Sequence, residues 1–165
     1  MPRLLIFTKP SPLIARAYVP DHAVGVGGRN LRKDVLLVQF LLVAIQRKPE
    51  VSAGRVRDYS KDSRGRLIAL AIDGVCGPQT IAAIRRYQEL YDIEEDDPTS
   101  ISAMIHDGRV DPPTKGKLLG PRQGHVLTIG RMNMLYRAQF GEDQHNRLYV
   151  DPSFPRELHD DFFVG

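Results

Sequence analysis

Apolar residues crowd one stretch of this chain beyond what a single helix face accounts for. From Val35 to Ile45 the run VLLVQFLLVAI is interrupted by only one polar residue, Gln39. It predicts a helix from about Leu31 to Gln46, stopped by Pro49, with Asn30 as its cap and Asp34 near the positive end of its dipole. A helix apolar on all sides is normally buried on all sides, so other segments of the chain or a partner must cover it. A second helix is expected from Pro78 to about Tyr91. Thr80, Ile84, Tyr87 and Tyr91 share one face, Ala83 and Leu90 flank it, and Arg85, Arg86 and Glu89 face water. In a third, Leu127 to Phe140, the residues Met132, Leu135, Tyr136 and Phe140 share a face and Gly141 supplies the stop. Its methionine and aromatic stripe reads as core packing, and it is the natural cover for the first helix.

The remaining pattern is weaker. Residues 1–28 read as irregular apart from a strand at Leu4 to Thr8, ending in Gly25, Gly27 and Gly28. Arg55 to Tyr59 and Arg66 to Ile72 are expected to pair as a hairpin across the loop tip SKDSRG, or else the second run is a buried approach to the turn that follows. Glu94 to Ser100 is a polar loop, and a short helix is expected at Ile101 to Ile105. The end of the chain, Asn146 to Gly165, sets Tyr149, Phe154, Phe162 and Phe163 among prolines and acids. It docks on its own domain or on another protein.

One layout occurs twice. Asp73, Gly74, Pro78 and Thr80 have counterparts in Asp107, Gly108, Pro112 and Thr114, each set being an Asp-Gly turn leading into a helix start. The helices echo one another as well, Val35-x-x-Val38-Gln39-x-x-Leu42 matching Ile84-x-x-Tyr87-Gln88-x-x-Tyr91. The matched residues have mechanical roles: glycine where the backbone needs a positive φ, proline pre-set for the first helical position, glutamine inside an apolar face. An amide so placed loses its water, and unless it bonds elsewhere this costs about 1–3 kcal/mol. Gln39 and Gln88 are therefore each expected to tie a loop backbone to a helix. Thr80 and Thr114 are expected to close the first turns of their helices.

Composition adds limits. The chain has 165 residues, 42% hydrophobic and 26% charged, as in an ordinary globular protein with a real core. Its net charge is +3, with the basic residues scattered, and there is no tryptophan. With no reading motif present, a nucleic-acid partner is not expected. The single cysteine, Cys76, excludes an internal disulfide and a cysteine-based zinc site. The longest apolar run falls short of the ~20 residues that span a bilayer, and Leu4 to Phe7 is too short for a secretory signal. The expectation is a soluble protein without a membrane partner or conventional export signal. Action in the cell envelope would need another route of delivery; otherwise the protein is cytoplasmic.

The stretch DGVCGPQTIAAIRRYQ, Asp73 to Gln88, resembles the signature of the peptidoglycan-binding-like domain, a small three-helix module of bacterial and phage cell-wall hydrolases. Its pattern is Asp-Gly-x-aromatic-Gly-Pro-x-Thr-x-x-Ala-Val-x-x-Phe-Gln. Asp73, Gly74, Gly77, Pro78, Thr80, Ala83 and Gln88 match it, with Ile84 and Tyr87 as close replacements. The family's first helix is matched by Val35, Val38, Gln39 and Leu42, and its closing motif by Asp107, Gly108, Val110 and Thr114. Cys76 departs from the usual aromatic residue, and the links Arg47 to Ile72 and Asp92 to His106 are longer than usual. The resemblance, over about Gly25 to Leu119, implies a mainly α fold with a three-helix peptidoglycan-binding-like core, to which the residue pattern adds an internal helix-and-corner repeat, a small β-hairpin insertion and a C-terminal helix. It also implies a division into a lead-in at 1–24, the domain at 25–120, and a C-terminal helix and aromatic tail at 121–165 packed on that domain.

Catalysis is not expected. The 45 or so residues after Gly120 fall short of the roughly 50 that a second domain needs. His22, His106, His125, His145 and His159 lack metal-ligand spacing, so neither a metal nor a cofactor is expected. His145 and His159 lie among acids and read as solvated charge. Cys76 reads as a small buried side chain. The resulting expectation is non-catalytic binding of peptidoglycan, through glycan strand or stem peptide, with Gln79, Arg85, Arg86 and Arg109 as the exposed candidates. The alternative is an adaptor or effector-associated protein of a secretion system or phage, which would bind a protein through its first helix or its C-terminal tail.

Overall fold

The computed structural model describes residues 1–6, 16–52, 54–92, 105–113 and 127–162. The first predicted helix is present as α1, Arg32–Gln46, and eleven of its fifteen residues are buried, Asp34 and Gln39 among them. It is the axis of the molecule. The second helix, α2, spans Pro78–Asp92 and the third, α3, spans Thr128–Phe140. Both pack against α1, and α3 makes the more extensive contact. Phe40 of α1 stands 5.9 Å from the Tyr136 ring of α3 and 5.1 Å, edge-on, from Phe154. The periodicity argument for mutual cover therefore holds.

The expectation of a mainly α chain does not. Helix accounts for 46% of the described residues and strand for 15%, the latter as six short strands. They form three two-stranded antiparallel sheets. β1, Arg3–Ile6, pairs with β2, Arg16–Val19, and Arg3 faces Val19. β3, Val24–Gly25, pairs across the chain with β6, Arg109–Val110. β4, Glu50–Ser52, pairs with β5, Arg55–Arg57. The class is α+β. The stretch before Gly25, expected to be irregular, contributes β2, whose Ala17, Tyr18 and Val19 are fully buried in the core beside α3.

Two local expectations are also corrected, while Asp34 does lie in the first turn of α1. The hairpin partner of Arg55–Arg57 is Glu50–Ser52, while the Arg66 to Ile72 stretch makes only the isolated bridge Lys61 to Leu67. The nearer partner closes a shorter loop, at lower entropic cost. Asn30 does not cap α1, whose preceding residue is Leu31. With φ +52° it folds back instead, accepting from Gly25 N at 2.7 Å and donating to the Gly25 and Gly28 carbonyls. Asp34 is buried and accepts from the backbone N–H groups of Asp21 and His22 at 2.9 and 3.1 Å. The helix and loops expected between residues 93 and 104 lie outside the described residues.

The C-terminal segment packs on the same body. After Gly141, whose φ is +90°, come α4, Glu142–Asn146, two 3-10 turns, and α5, His159–Phe162. Leu148, Phe154 and Leu158 are buried. Phe162 meets the Tyr18 ring edge-on at 5.1 Å. Asp151 is buried and holds Arg47, at the end of α1, through two hydrogen bonds of 2.8 and 3.0 Å. Burial alone would raise this carboxyl, but the bonds from Arg47 and Ser153 bring it below the usual carboxylate range.

Candidate functional site

Each long helix places one amide in its buried face, and each amide grips a non-helical backbone. On α1, Gln39 Oε1 accepts from the N–H groups of Asp73 and Gly74 at 3.1 and 2.8 Å. Its Nε2 donates to Asp73 Oδ1, the Val75 carbonyl and Thr80 Oγ1, all at 2.9–3.0 Å. On α2, Gln88 Oε1 accepts from Gly108 N at 2.9 Å, and its Nε2 donates to Asp107 Oδ1, the Arg109 carbonyl and Thr128 Oγ1 at 3.2, 3.0 and 3.3 Å. The two corners are near copies. In both, the aspartate accepts from the N–H two residues on, Val75 or Arg109, at 2.9 Å, and the glycine has φ of +74° or +71°. Only glycine adopts that conformation without strain.

Among the described residues, the hydroxyl that meets the second corner's amide is that of Thr128. Thr114 lies outside the described residues. Thr128 opens α3, so the second corner's amide is tied to the helix that the sequence pattern set apart as an addition. On α3 the third amide, Asn133, accepts from Tyr18 N at 2.8 Å and donates to the Tyr18 and Ile129 carbonyls at 2.9 and 2.8 Å. Sequence reasoning missed this residue, although a polar amide beside Met132, Leu135 and Tyr136 is the same signal that identified Gln39 and Gln88.

His145 was also misread. It is fully buried against the Tyr18 ring, with Nε2 3.2 Å from Asn133 Oδ1. Burial, with help from Arg137, pushes the imidazole down to about 4, so it is neutral at pH 7.

Around the corners lie the exposed candidates. Arg32 donates through Nη1 to the Asp73 carbonyl at 2.6 Å and pairs with Glu157 at 2.7 Å. It lies across Gly74, where a Cβ would come within 2.8 Å of it. The N–H of Val75, then the Gln39 amide, with Arg32 adding its charge, hold the Asp73 carboxyl below its ordinary value. Arg85 lies likewise across Gly108, where a Cβ would come within 2.8 Å of its Nε and 3.2 Å of Val26 Cγ2. Val26 is 41% exposed and donates its N–H to the Gly108 carbonyl at 3.1 Å. Arg109 projects toward Gly27 and pairs with Asp111 at 2.6 Å.

The structure thus gathers Arg85 and Arg109 at one corner, with Val26 between the corner and solvent. It separates the other two candidates from them. Arg86 donates to the Lys61 carbonyl at 2.7 Å and reaches Glu89 at 3.6 Å, so it fastens the Lys61 loop to α2. Gln79 is exposed at the start of α2, beside the first corner. Arg85 is exposed and, among the described residues, makes no hydrogen bond or ion pair.

Among the described residues no group of three or more His, Cys, Asp and Glu side chains is placed to hold a metal. Cys76 is half-buried, and burial pushes its thiol up, away from the reactive thiolate. Among the described residues no helix is long and apolar enough to cross a membrane. No family model, curated protein or solved structure matches the chain.

Proposed function

We propose that the protein binds bacterial cell-wall peptidoglycan without chemically altering it, at the corner formed by Gly108, Arg85, Arg109 and Val26. The observation that carries this reading is Arg85, an exposed guanidinium with no partner among the described residues, laid across a glycine that leaves it room. A guanidinium in that state can donate to glycan hydroxyls, amide carbonyls or stem-peptide carboxylates. The sequence resemblance supports the same reading, since Gln39, Asp73, Gly74 and Thr80, and Gln88, Asp107 and Gly108, are the residues that lock the two corners. The alternative, protein contacts through the first helix and the tail, has less surface to draw on. Most of α1 is enclosed by the chain itself, and Leu148, Phe154 and Leu158 of the tail are buried.

Sedimentation with purified insoluble peptidoglycan tests the proposal. The protein is expected in the pellet at low and at moderate salt. Protein left in the supernatant at both would overturn the reading.

A further inference from the structure

One turn glycine answers no requirement of the fold. Among the described glycines outside the helices, all but Gly28 and Gly77 have positive φ. At Gly28 a Cβ would stand 2.4 Å from the Ala23 carbonyl oxygen. Gly77 has neither constraint. Its φ is not positive, and no atom of the described residues lies within 4 Å of the place a Cβ would take.

Position 77 is the cap of α2, since its carbonyl accepts from Ile81 N at 3.1 Å. Serine, aspartate or asparagine there would offer an acceptor to the first-turn N–H groups of the helix, which glycine does not. Any of them would also lose less chain entropy on folding. The proline that follows restricts position 77 to extended backbone, which suits a residue with a side chain. The fold alone would be served better by a side chain at this place than by its absence.

A glycine on an accessible surface has one other use, the close approach of another molecule to the main chain. Its neighbours give the chemistry. Val75 is 62% exposed, and Pro78 and Gln79 are exposed. Two of them present aliphatic faces, and the Gln79 amide both donates and accepts. None carries a charge. The charged groups of this corner are engaged: Arg32 with the Asp73 carbonyl and Glu157, and the Asp73 carboxylate with Gln39 and the Val75 N–H. A bare backbone between aliphatic faces and an amide fits an uncharged sugar ring, with its C–H face on Val75 and Pro78 and its hydroxyl and acetamido groups on Gln79. The zone adjoins the second corner, because Cys76 lies beside the Gly25 backbone and Val26, next in the chain, bonds to Gly108.

We propose that Val75, Gly77, Pro78 and Gln79 take an N-acetyl sugar ring of the glycan strand, and that Gly77 is bare so that the ring can lie against the main chain. This contact rests on the cell-wall reading of the corner surface and extends it from the second corner to the first.

Gly77→Asn tests it in the full chain, by retention on purified insoluble peptidoglycan at low and at moderate salt. The variant gains a cap and should melt no lower than wild type. Its side chain fills the approach and should weaken retention severalfold. An uncharged contact is not screened, so the loss should be the same at both salt concentrations. Gly65→Asn is the control, on the Asp62 turn with φ +76° and open space around it, a conformation asparagine tolerates. It should be retained as wild type is. In solution, the tetramer of N-acetylglucosamine should shift the amide resonances of Val75 and Gln79 in wild type and leave them in place in Gly77→Asn. If Gly77→Asn melts lower than wild type, the wild-type titration decides. Wild-type protein left in the supernatant would overturn the cell-wall reading and this contact with it. Wild-type protein in the pellet with Gly77→Asn retained equally, with Gly65→Asn lost as badly, or with Val75 and Gln79 unmoved by the tetramer, would overturn the sugar contact alone.

Discussion

Gln88 Nε2 and Thr128 Oγ1 meet at 3.3 Å across forty positions of sequence. On α1 the same contact joins Gln39 to Thr80 at 3.0 Å. The second corner therefore repeats the amide-to-hydroxyl contact of the first, through the threonine that opens α3. A corner built this way depends on its amide more than on chain continuity. The amide is the one group in contact with the aspartate, the backbone on either side of the turn and the hydroxyl that opens the next helix.

Replacing that amide is expected to be costly. Gln39→Leu leaves the N–H groups of Asp73 and Gly74 without the Gln39 acceptor and takes one donor from each of Asp73, Val75 and Thr80, in a partly buried site. The loss should be about 3 kcal/mol. Gln88→Leu strands one backbone N–H instead of two and should cost less, about 2 kcal/mol. Urea denaturation of the two variants checks the order as well as the size; equal or negligible losses would show that the corners hold without their amides.

Glycine replacements give a second ranking. Gly25 has φ +109°, and a Cβ there would sit 2.2 Å from the Gly108 carbonyl oxygen, a backbone atom that cannot step aside without breaking the β3–β6 pairing. Gly54 has φ +77° with open space around it. Gly54→Ala should cost only the left-handed conformation, about 1 kcal/mol. Gly25→Ala should cost about 3 kcal/mol or more. Similar midpoint shifts for the two in urea would mean that β3 and β6 separate at little cost.

The helices were legible because their burial repeats every three to four residues within one stretch of chain, as Ile84, Tyr87 and Leu90 do. The strands were legible only in part: β1 overlaps the stretch expected at Leu4 to Thr8 and β5 begins at the expected Arg55, but β2 was not foreseen. Arg16–Val19 is four residues long, and what makes it core is Asn133, over a hundred positions away, together with Phe162. His145 sits in the polar sequence GEDQHN, which reads locally as solvated, yet Tyr18 and Asn133 enclose it. The Asp-Gly turns were visible, since their chemistry is local, whereas the tie from Gln88 to Thr128 was not, because a hydroxyl's place in a corner is set in space. For the candidate site the same limit applied. Helical geometry put Arg85 and Arg86 both on the wet side, and only the Gly108 turn and the Lys61 carbonyl distinguish them.

His145 makes the fold sensitive to mild acid. The imidazole titrates near 6.5 in an unfolded chain and is pushed down to about 4 in the fold, chiefly by burial. Between those values the unfolded state binds more protons. The contribution is fully present above pH 6.5 and is lost as pH falls toward 4, amounting to about 3 kcal/mol over the window. Asp58, held down to about 2 by Lys61 and Ser60, acts lower, between its ordinary 3.8 and that value. Unfolding free energies measured from pH 7 to 4 should therefore fall for wild type and run flatter for His145→Gln. Parallel slopes would assign the acid sensitivity to other groups.

Arg85 separates a binding surface from a merely solvated one. Its side chain has no partner among the described residues to lose, so Arg85→Ala should leave stability within about 0.5 kcal/mol of wild type. If the guanidinium donates to a charged or strongly polar group of the cell wall, its removal should weaken binding by about 1.5–3 kcal/mol, roughly tenfold or more in affinity. Arg86→Ala is the control. It releases the Lys61 carbonyl and the contact with Glu89, so it should lower stability slightly and leave binding intact. Quantitative pull-down on insoluble peptidoglycan, with both variants at two salt concentrations, reads the difference. The wild-type advantage over Arg85→Ala should narrow as salt screens the exposed charge. Equal retention of the two variants would remove Arg85 from the site and leave the corner surface without its principal cation.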